Sequence, residues 1–185
     1  MRVIAGIARG IPLQVPTAGD VRPTSDRVRE ALFSVLANRL PEARCLDLFA
    51  GSGALGIEAL SRGAESCLFV DCEKAAVETI RANLNKSGLA GGAVKSVEAL
   101  RFLQSGHGQF DLVFADPPYQ KEGGVNLAAE LAGSDDLPLM MAEDAILVLE
   151  SRKSSEEYPV NERLERLESR DYGETRLVFL RRVTP

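Results

Sequence analysis

The chain has 185 residues, 45% of them hydrophobic, which suits one domain with a substantial buried core. No run approaches the roughly 18 apolar residues of a membrane span, and no apolar block follows Arg2, so the expectation is a cytoplasmic protein with no membrane partner. A formal net charge of −5 argues against a protein that coats nucleic acid nonspecifically, because neutralising phosphates takes clustered Lys and Arg.

That charge is unevenly spread. Residues 1–29 hold Arg2, Arg9, Arg22, Arg27 and Arg29 against Asp20 and Asp26, a local net of +3, so any footprint for nucleic acid begins in this arm. The apolar-rich runs Arg2 to Ile7 and Ile11 to Val15 flank Arg9-Gly10 and predict a small hairpin, with Pro12 and Pro16 on its exposed edge. Thr24-Ser25-Asp26 is good N-cap chemistry, and Val28, Leu32, Val35 and Leu36 follow at helical spacing, giving one amphipathic helix that ends near Pro41. We read residues 1–40 as this hairpin-and-helix extension and residues 41–185 as the main domain.

From Cys45 onward short apolar strands alternate with helices. Strands are predicted at 45–49, 67–70, 93–97, 110–115 and 145–150. The intervening helices include one ending at Gly63 and one carrying Val77, Ile80 and Leu84 before Gly88. That alternation implies an α/β fold with a doubly wound, mostly parallel sheet. The end breaks the pattern: Arg163 to Glu168 and Thr175 to Arg181, joined by Asp171-Tyr172-Gly173, leave no room for a crossover helix and predict an antiparallel C-terminal hairpin. Ser151 to Pro159 reads as a polar connection. Cys45, Cys67 and Cys72 are odd in number and lack C-x-x-C spacing, so they read as reduced core thiols, with neither a disulfide nor a metal site. His107, in Gly106-His107-Gly108, reads as an exposed turn.

Two segments carry chemistry. Asp47-Leu48-Phe49-Ala50-Gly51-Ser52-Gly53-Ala54-Leu55-Gly56 lies between the first core strand and its helix, where an open sheet binds ligands at the carboxyl ends of its strands. Gly51 and Gly53 permit positive φ and close approach of a ligand, while Asp71 closes the next strand at the distance where an acid can hold ribose hydroxyls. The spacing Gly51-x-Gly53-x-x-Gly56 also matches a dinucleotide fingerprint. Asp47 separates the two readings: a carboxylate beside the loop would repel a pyrophosphate but suits the cationic amino end and sulfonium of S-adenosylmethionine.

The second segment, Asp116-Pro117-Pro118-Tyr119, follows the strand ending at Ala115. Two prolines fix φ and supply no N–H, so they hold an extended loop whose carbonyls stay free to accept hydrogen bonds. Methylating a base amino group needs such acceptors, because its lone pair is conjugated with the ring. Asp116 and the Pro117 carbonyl could accept the amino hydrogens, and Tyr119 could stack on a base taken out of its helix. Amide nitrogen is a neighbouring substrate, but the glutamine methyltransferases resemble this chain with Asn in place of Asp116.

With these residues in view, the chain resembles the bacterial methyltransferases that modify a guanine exocyclic amino group in 16S ribosomal RNA. The likeness includes Arg2-Val3-Ile4-Ala5-Gly6, the run Arg22 to Glu30, Asp47 to Gly56, Leu60-Ser61-Arg62-Gly63-Ala64, Asp116 to Tyr119 and Tyr172-Gly173-Glu174-Thr175. The resemblance implies a Rossmann-like class I methyltransferase with a seven-stranded sheet whose last strand is antiparallel. It implies donor contacts at Asp47, Gly51, Ser52, Gly53 and Asp71, with neighbouring Cys72. Near the donor adenine it implies Glu98 or the Ala99 backbone, Glu98 being longer than the Asp or Asn that related enzymes often place there. Thr24 would act in a lid over the donor, and Arg9, Arg22, Arg27 and Arg29 would grip RNA phosphates. The expected partner is 16S ribosomal RNA within a small subunit or an assembly intermediate, and the expected state is a monomer.

Three rival functions remain at this point. A DNA or RNA adenine-amino methyltransferase shares the tetrad chemistry, although the DNA enzymes usually add a target-recognition region for which this chain has no room. A non-catalytic RNA-binding assembly factor could retain a donor pocket. An NAD oxidoreductase is disfavoured because no second domain supplies a substrate site.

Overall fold

The computed structural model describes residues 1–16, 26–106, 108–118, 125–153 and 158–184. Arg22, Thr24, His107 and Tyr119, on which expectations were placed, lie outside the described residues. Among the described residues no helix is long and apolar enough to cross a membrane.

Chain order follows the alternation expected from the sequence. Helix α1 (Asp26–Val35) and a 3-10 turn (Ala37–Arg39) lead into β1 (Arg44–Leu48), α2 (Ala54–Ser61), β2 (Ser66–Asp71), α3 (Lys74–Ser87) and β3 (Gly92–Ser96). Next come α4 (Ala99–Leu103), β4 (Phe110–Ala115), α5 (Leu127–Gly133), α6 (Asp136–Met140), β5 (Met141–Arg152), β6 (Leu164–Tyr172) and β7 (Thr175–Arg182). Gly88 caps α3 in the left-handed conformation (φ 66°), donating its N–H to the Leu84 carbonyl, as a C-terminal glycine should.

The seven strands form one sheet in the order β3-β2-β1-β4-β5-β7-β6. β1 pairs in parallel with β2 and β4, whereas β7 runs antiparallel to both β5 and β6. Side chains alternate across the two faces, so one strand feeds two cores. Cys45, Phe69, Phe114 and Val148 pack with Leu32, Phe33, Ile57 and Ile80 on one side. Leu46, Val70, Val113 and Leu147 pack with Phe102, Leu131 and Leu137 on the other. Both faces being covered explains why the central strands read as nearly continuous apolar runs, broken in β1 by Asp47 and in β4 by Asp111. Cys45 and Cys67 are buried, free thiols in this core, whereas Cys72 is free but exposed, against the expectation of a core thiol, because it lies just past the end of β2.

Three further expectations need correction. β5 begins four residues before Ala145, where Met141 pairs with Phe110 of β4, and runs on to Arg152 because β7 offers an antiparallel ladder from Ile146–Arg181 to Arg152–Thr175. β6 likewise extends to Tyr172. The N-terminal runs pair as a hairpin too short for named strands, through the Arg2–Pro12 bridge and the bonds from Val3 N–H to Ile11 and from Leu13 N–H to Met1, and the helices beneath add to the hold. Ile4 and Ala5 donate their N–H groups to the carboxylate of Glu58, at 2.7 and 3.0 Å. Ala8 donates to the Ser61 hydroxyl, which in turn donates to the Ala5 carbonyl. Gly6 (φ +82°) passes so close to α2 that a Cβ there would lie 1.8 Å from the Ser61 carbonyl oxygen. Val3, Ala8 and Leu13 thereby join the same core as Cys45 and Phe69.

Candidate active site

The strand order changes direction between β1 and β4, since β2 and β3 lie to one side of β1 and β4 to β7 lie to the other. Ligands of open α/β sheets bind outside the carboxyl ends of the strands at such a switch point. Register fixes what lies there. Leu48 pairs with Val70 on one side and Ala115 on the other, so Phe49, Asp71 and Asp116 stand level at the ends of three adjacent strands. With strands about 4.8 Å apart, Asp71 and Asp116 flank the glycine loop at a backbone separation of roughly 10 Å. Ser96 pairs with Asp71, which brings Glu98 to the same rim one strand further out.

In the loop from Phe49 to Gly53 every second residue is left-handed. Phe49 (φ 56°), Gly51 (φ 55°) and Gly53 (φ 76°) reverse the backbone between β1 and α2. A bulky residue in that region is strained, and such strain collects where ligands are handled. Gly51 faces open space, with only the Phe49 carbonyl oxygen, 3.9 Å away, near a notional Cβ, so a ligand can approach its backbone. Gly56 serves packing: its Cβ would fall 2.3 Å from the Phe69 ring and 2.5 Å from the Cys67 sulfur, so only glycine lets α2 lie this close to β2.

The acids divide into two kinds. Asp71 Oδ2 accepts the Gly51 N–H at 2.8 Å, and its Oδ1 accepts the Glu73 N–H at 2.9 Å. It therefore shapes the loop, and each oxygen keeps a further lone pair for a ribose hydroxyl. Glu98 caps α4, accepting from Leu100 and Arg101 N–H at 3.2 and 3.0 Å, and Ala99, buried, begins that helix. Both carboxylate oxygens of Glu98 are thus engaged in capping, which leaves the neighbouring backbone the better placed group for an adenine.

Asp47 departs from expectation. It is buried and accepts the Gly56 N–H at 2.9 Å, so it ties the start of α2 from below the loop and does not stand on the rim. Burial pushes its carboxyl up to about 8, against the Gly56 hydrogen bond, with Asp71 adding to the rise. Its alternation in β1 explains the placement, because Asp47 shares the face of Cys45, under α2. Cys72 is exposed beside Asp71. Its thiol is raised by partial burial and then by the Asp71 and Glu73 carboxylates, so it stays protonated and offers a soft neutral surface.

On the other flank of the loop, Asp116 is half-buried at the end of β4, Pro117 is buried and Pro118 is exposed. The two prolines thus leave the fold as a supported shoulder beside the glycine loop.

Of the arm residues described, Arg9 and Arg27 are exposed and, among the described residues, in no ion pair. Arg29 corrects the expectation of a phosphate contact. It is fully buried, donates to the Arg2 carbonyl at 2.7 Å and to Asp26 at 2.8 Å, and lies 3.9 Å from the buried Glu58. Glu58 also receives the Arg62 Nε at 2.7 Å. Sequence reading missed Glu58 and Asn83, yet each had a signal: Glu58 is the lone charge in the apolar helix Ala54–Ser61, and Asn83 sits three residues after Ile80 on the buried stripe of α3.

A rim of this make-up on a sheet of this order defines the class I, S-adenosylmethionine-dependent methyltransferase fold. The solved structure of yhhF from Escherichia coli superposes with a TM-score of 0.84 at 33% identity, covering 98% of this chain and 97% of that one. At the level of fold alone, SMU.776, solved in complex with SAH, matches with a TM-score of 0.59 at 13% identity over 80% of this chain and 49% of its own. The chain belongs to the family described as conserved hypothetical protein 95, whose model matches residues 1–181. It is 37% identical over 154 residues to ribosomal RNA small subunit methyltransferase D of Escherichia coli (strain K12), covering 82% of this chain and 74% of the relative.

Proposed function

We propose that this chain transfers a methyl group from S-adenosylmethionine to the exocyclic amino nitrogen of a guanine in small-subunit ribosomal RNA. The observation that carries the reading is the level placement of Asp116 and Asp71 on either flank of the glycine loop at the switch point. One flank suits the donor and the other suits an amino group. The kinship with ribosomal RNA small subunit methyltransferase D supports the choice of RNA and of subunit.

When bound, S-adenosylmethionine supplies an electrophilic methyl on a sulfonium centre. Gly51 and the loop backbone admit the donor closely, Asp71 holds the loop and presents its remaining lone pairs to the ribose, and the Ala99 backbone faces the adenine. Asp116 accepts a hydrogen bond from the target amino group, with the Pro117 carbonyl as second acceptor, so that the nitrogen lone pair is drawn out of conjugation and aimed at the methyl. Tyr119 stacks on the extruded base, because a paired amino group is sterically closed. Arg9 and Arg27 meet phosphates, and residues 1–40 act as the RNA-facing and donor-covering extension.

Asp116→Ala should lower the single-turnover methyl-transfer rate on purified small subunits by at least about 100-fold while leaving donor affinity nearly intact, and Asp116→Asn should keep partial activity. Nucleoside mass spectrometry reads the product. Full activity in the alanine variant would refute the role of Asp116, and methyladenine would refute the substrate.

A further inference from the structure

We propose that Asn83 is a positioning residue that couples the N-terminal arm to the glycine loop, so that donor binding and the setting of the arm respond to each other. The inference rests on the reading that the donor sits on the glycine loop.

Asn83 is fully buried on α3, on the stripe that carries Val77 and Ile80. Its amide nitrogen donates to two carbonyls, that of Gln14 at 3.0 Å and that of Ser52 at 2.9 Å. Its amide oxygen accepts the Gln14 N–H at 2.8 Å. Both hydrogens and one lone pair are therefore used, and two segments far apart in sequence meet on one side chain. Only a carboxamide has this set, and Gln would carry it one methylene too far: Asp has no donor, and Leu would orphan one N–H and two carbonyls in a buried site.

The amide joins two segments that matter to the site. Ser52 lies between Gly51 and Gly53, two residues whose left-handed backbone gives the loop its shape, so the direction of the Ser52 carbonyl reports the state of the loop. Gln14 lies in the first described stretch of the arm, which ends at residue 16. A second contact runs in parallel, the Ser52 hydroxyl donating to the Met1 sulfur at 3.7 Å. A ligand that orders the loop must order the Ser52 carbonyl, and through Asn83 the Gln14 peptide. Linkage makes the coupling reciprocal: RNA that holds the arm tightens the donor site by the same factor.

The test is hydrogen exchange at the Gln14 N–H in the full chain, with and without S-adenosylhomocysteine, alongside calorimetry of the same ligand. Wild type should slow exchange at Gln14 by about fivefold or more on binding. Asn83→Asp keeps the acceptor for the Gln14 N–H and removes the donor to both the Ser52 and the Gln14 carbonyls, which cuts the link to the loop, so it should bind the ligand yet lose that slowing. A core staple with no coupling role would show equal slowing in variant and wild type, which overturns the proposal. Unchanged Gln14 exchange in wild type that binds the ligand overturns it as well, even if Asn83→Asp fails to fold. If the chain binds no S-adenosylhomocysteine, the donor-site reading fails first and the coupling falls with it.

Discussion

Strands β1 and β4 carry acids at both ends, and the two ends are treated in opposite ways. At the amino end, Asp111 of β4 receives Arg44 of β1 three times over: the backbone N–H at 2.8 Å, Nε at 3.1 Å and Nη2 at 3.2 Å. Burial alone would raise the Asp111 carboxyl, but the Arg44 hydrogen bonds and charge outweigh it and hold it below its ordinary value. At the carboxyl end, Asp47 is buried with one backbone N–H as its hydrogen-bond donor, and its carboxyl is pushed up to about 8. The amino end is closed by its own countercharge. The carboxyl end gathers Asp71, Glu98 and Asp116 around a strained loop, with Asp47 buried and protonated beneath it, so a cationic ligand is better accommodated there than an anionic one.

Removing an acid from the carboxyl end is the strongest way to sharpen that contrast. Asp71→Ala frees the N–H groups of Gly51 and Glu73 and takes away the proposed ribose partner, so calorimetry with S-adenosylhomocysteine should show affinity weakened by about 1–3 kcal/mol. Unchanged affinity with lowered stability would make Asp71 a loop staple and nothing more.

On the proposed reading, RNA phosphates meet the exposed arginines of the arm and only the target base reaches the acidic rim. Converting both Arg9 and Arg27 to Ala should weaken RNA binding and flatten its dependence on salt, by up to about 0.9 in log–log slope for each phosphate no longer neutralised. Thermal stability should hardly move, because both side chains are exposed. An unaltered salt slope would place the RNA elsewhere on the surface.

Asp47 tests the buried acid through pH. Its folded pKa is raised above an unfolded value near about 3.9, so the native state holds a proton that the unfolded chain has released. That contribution is full below the unfolded value and disappears as pH rises through about 8. Asp47→Asn can still accept the Gly56 N–H and cannot ionise. Urea midpoints at pH 6 and pH 9 should therefore fall less in the variant than in wild type; parallel declines would contradict the account.

These contrasts also mark what was legible in the sequence. The strands could be read because covering both faces of a sheet demands nearly continuous apolar runs, and the rim could be read because glycine spacing and two prolines constrain backbone directly. Arg29 could not, because a charged residue goes to solvent unless a partner is buried with it, and that partner, Glu58, lies on another helix. Asp47 was half legible: strand alternation puts it beneath α2 with Cys45, but its position in the glycine motif suggested the rim. The arm's attachment was hidden for a related reason: Glu58 and Asn83 stand out on apolar stripes, but the arm's backbone groups that they and Ser61 hold carry no mark in the sequence.

The smallest effect belongs to the amino end. Arg44 and Asp111 side chains are 43% and 38% exposed, so solvent screens the pair despite its geometry, and Arg44→Gln or Asp111→Asn should cost no more than about 1 kcal/mol. The sign with pH is opposite to that of Asp47. A carboxyl held below its unfolded value contributes stability that is present above that value and is lost as pH falls through the folded pKa, because below it both states are protonated. Wild type and Asp111→Asn should therefore differ in urea midpoint at pH 7 and draw together as the pH falls below the ordinary carboxylate range, with the difference at pH 7 shrinking in high salt. Methyl transfer should be untouched in both variants, since the pair sits at the far end of the strands from the glycine loop. A loss of activity without a loss of stability would mean that the two ends of β1 and β4 are not independent, and the division of labour between them would have to be abandoned.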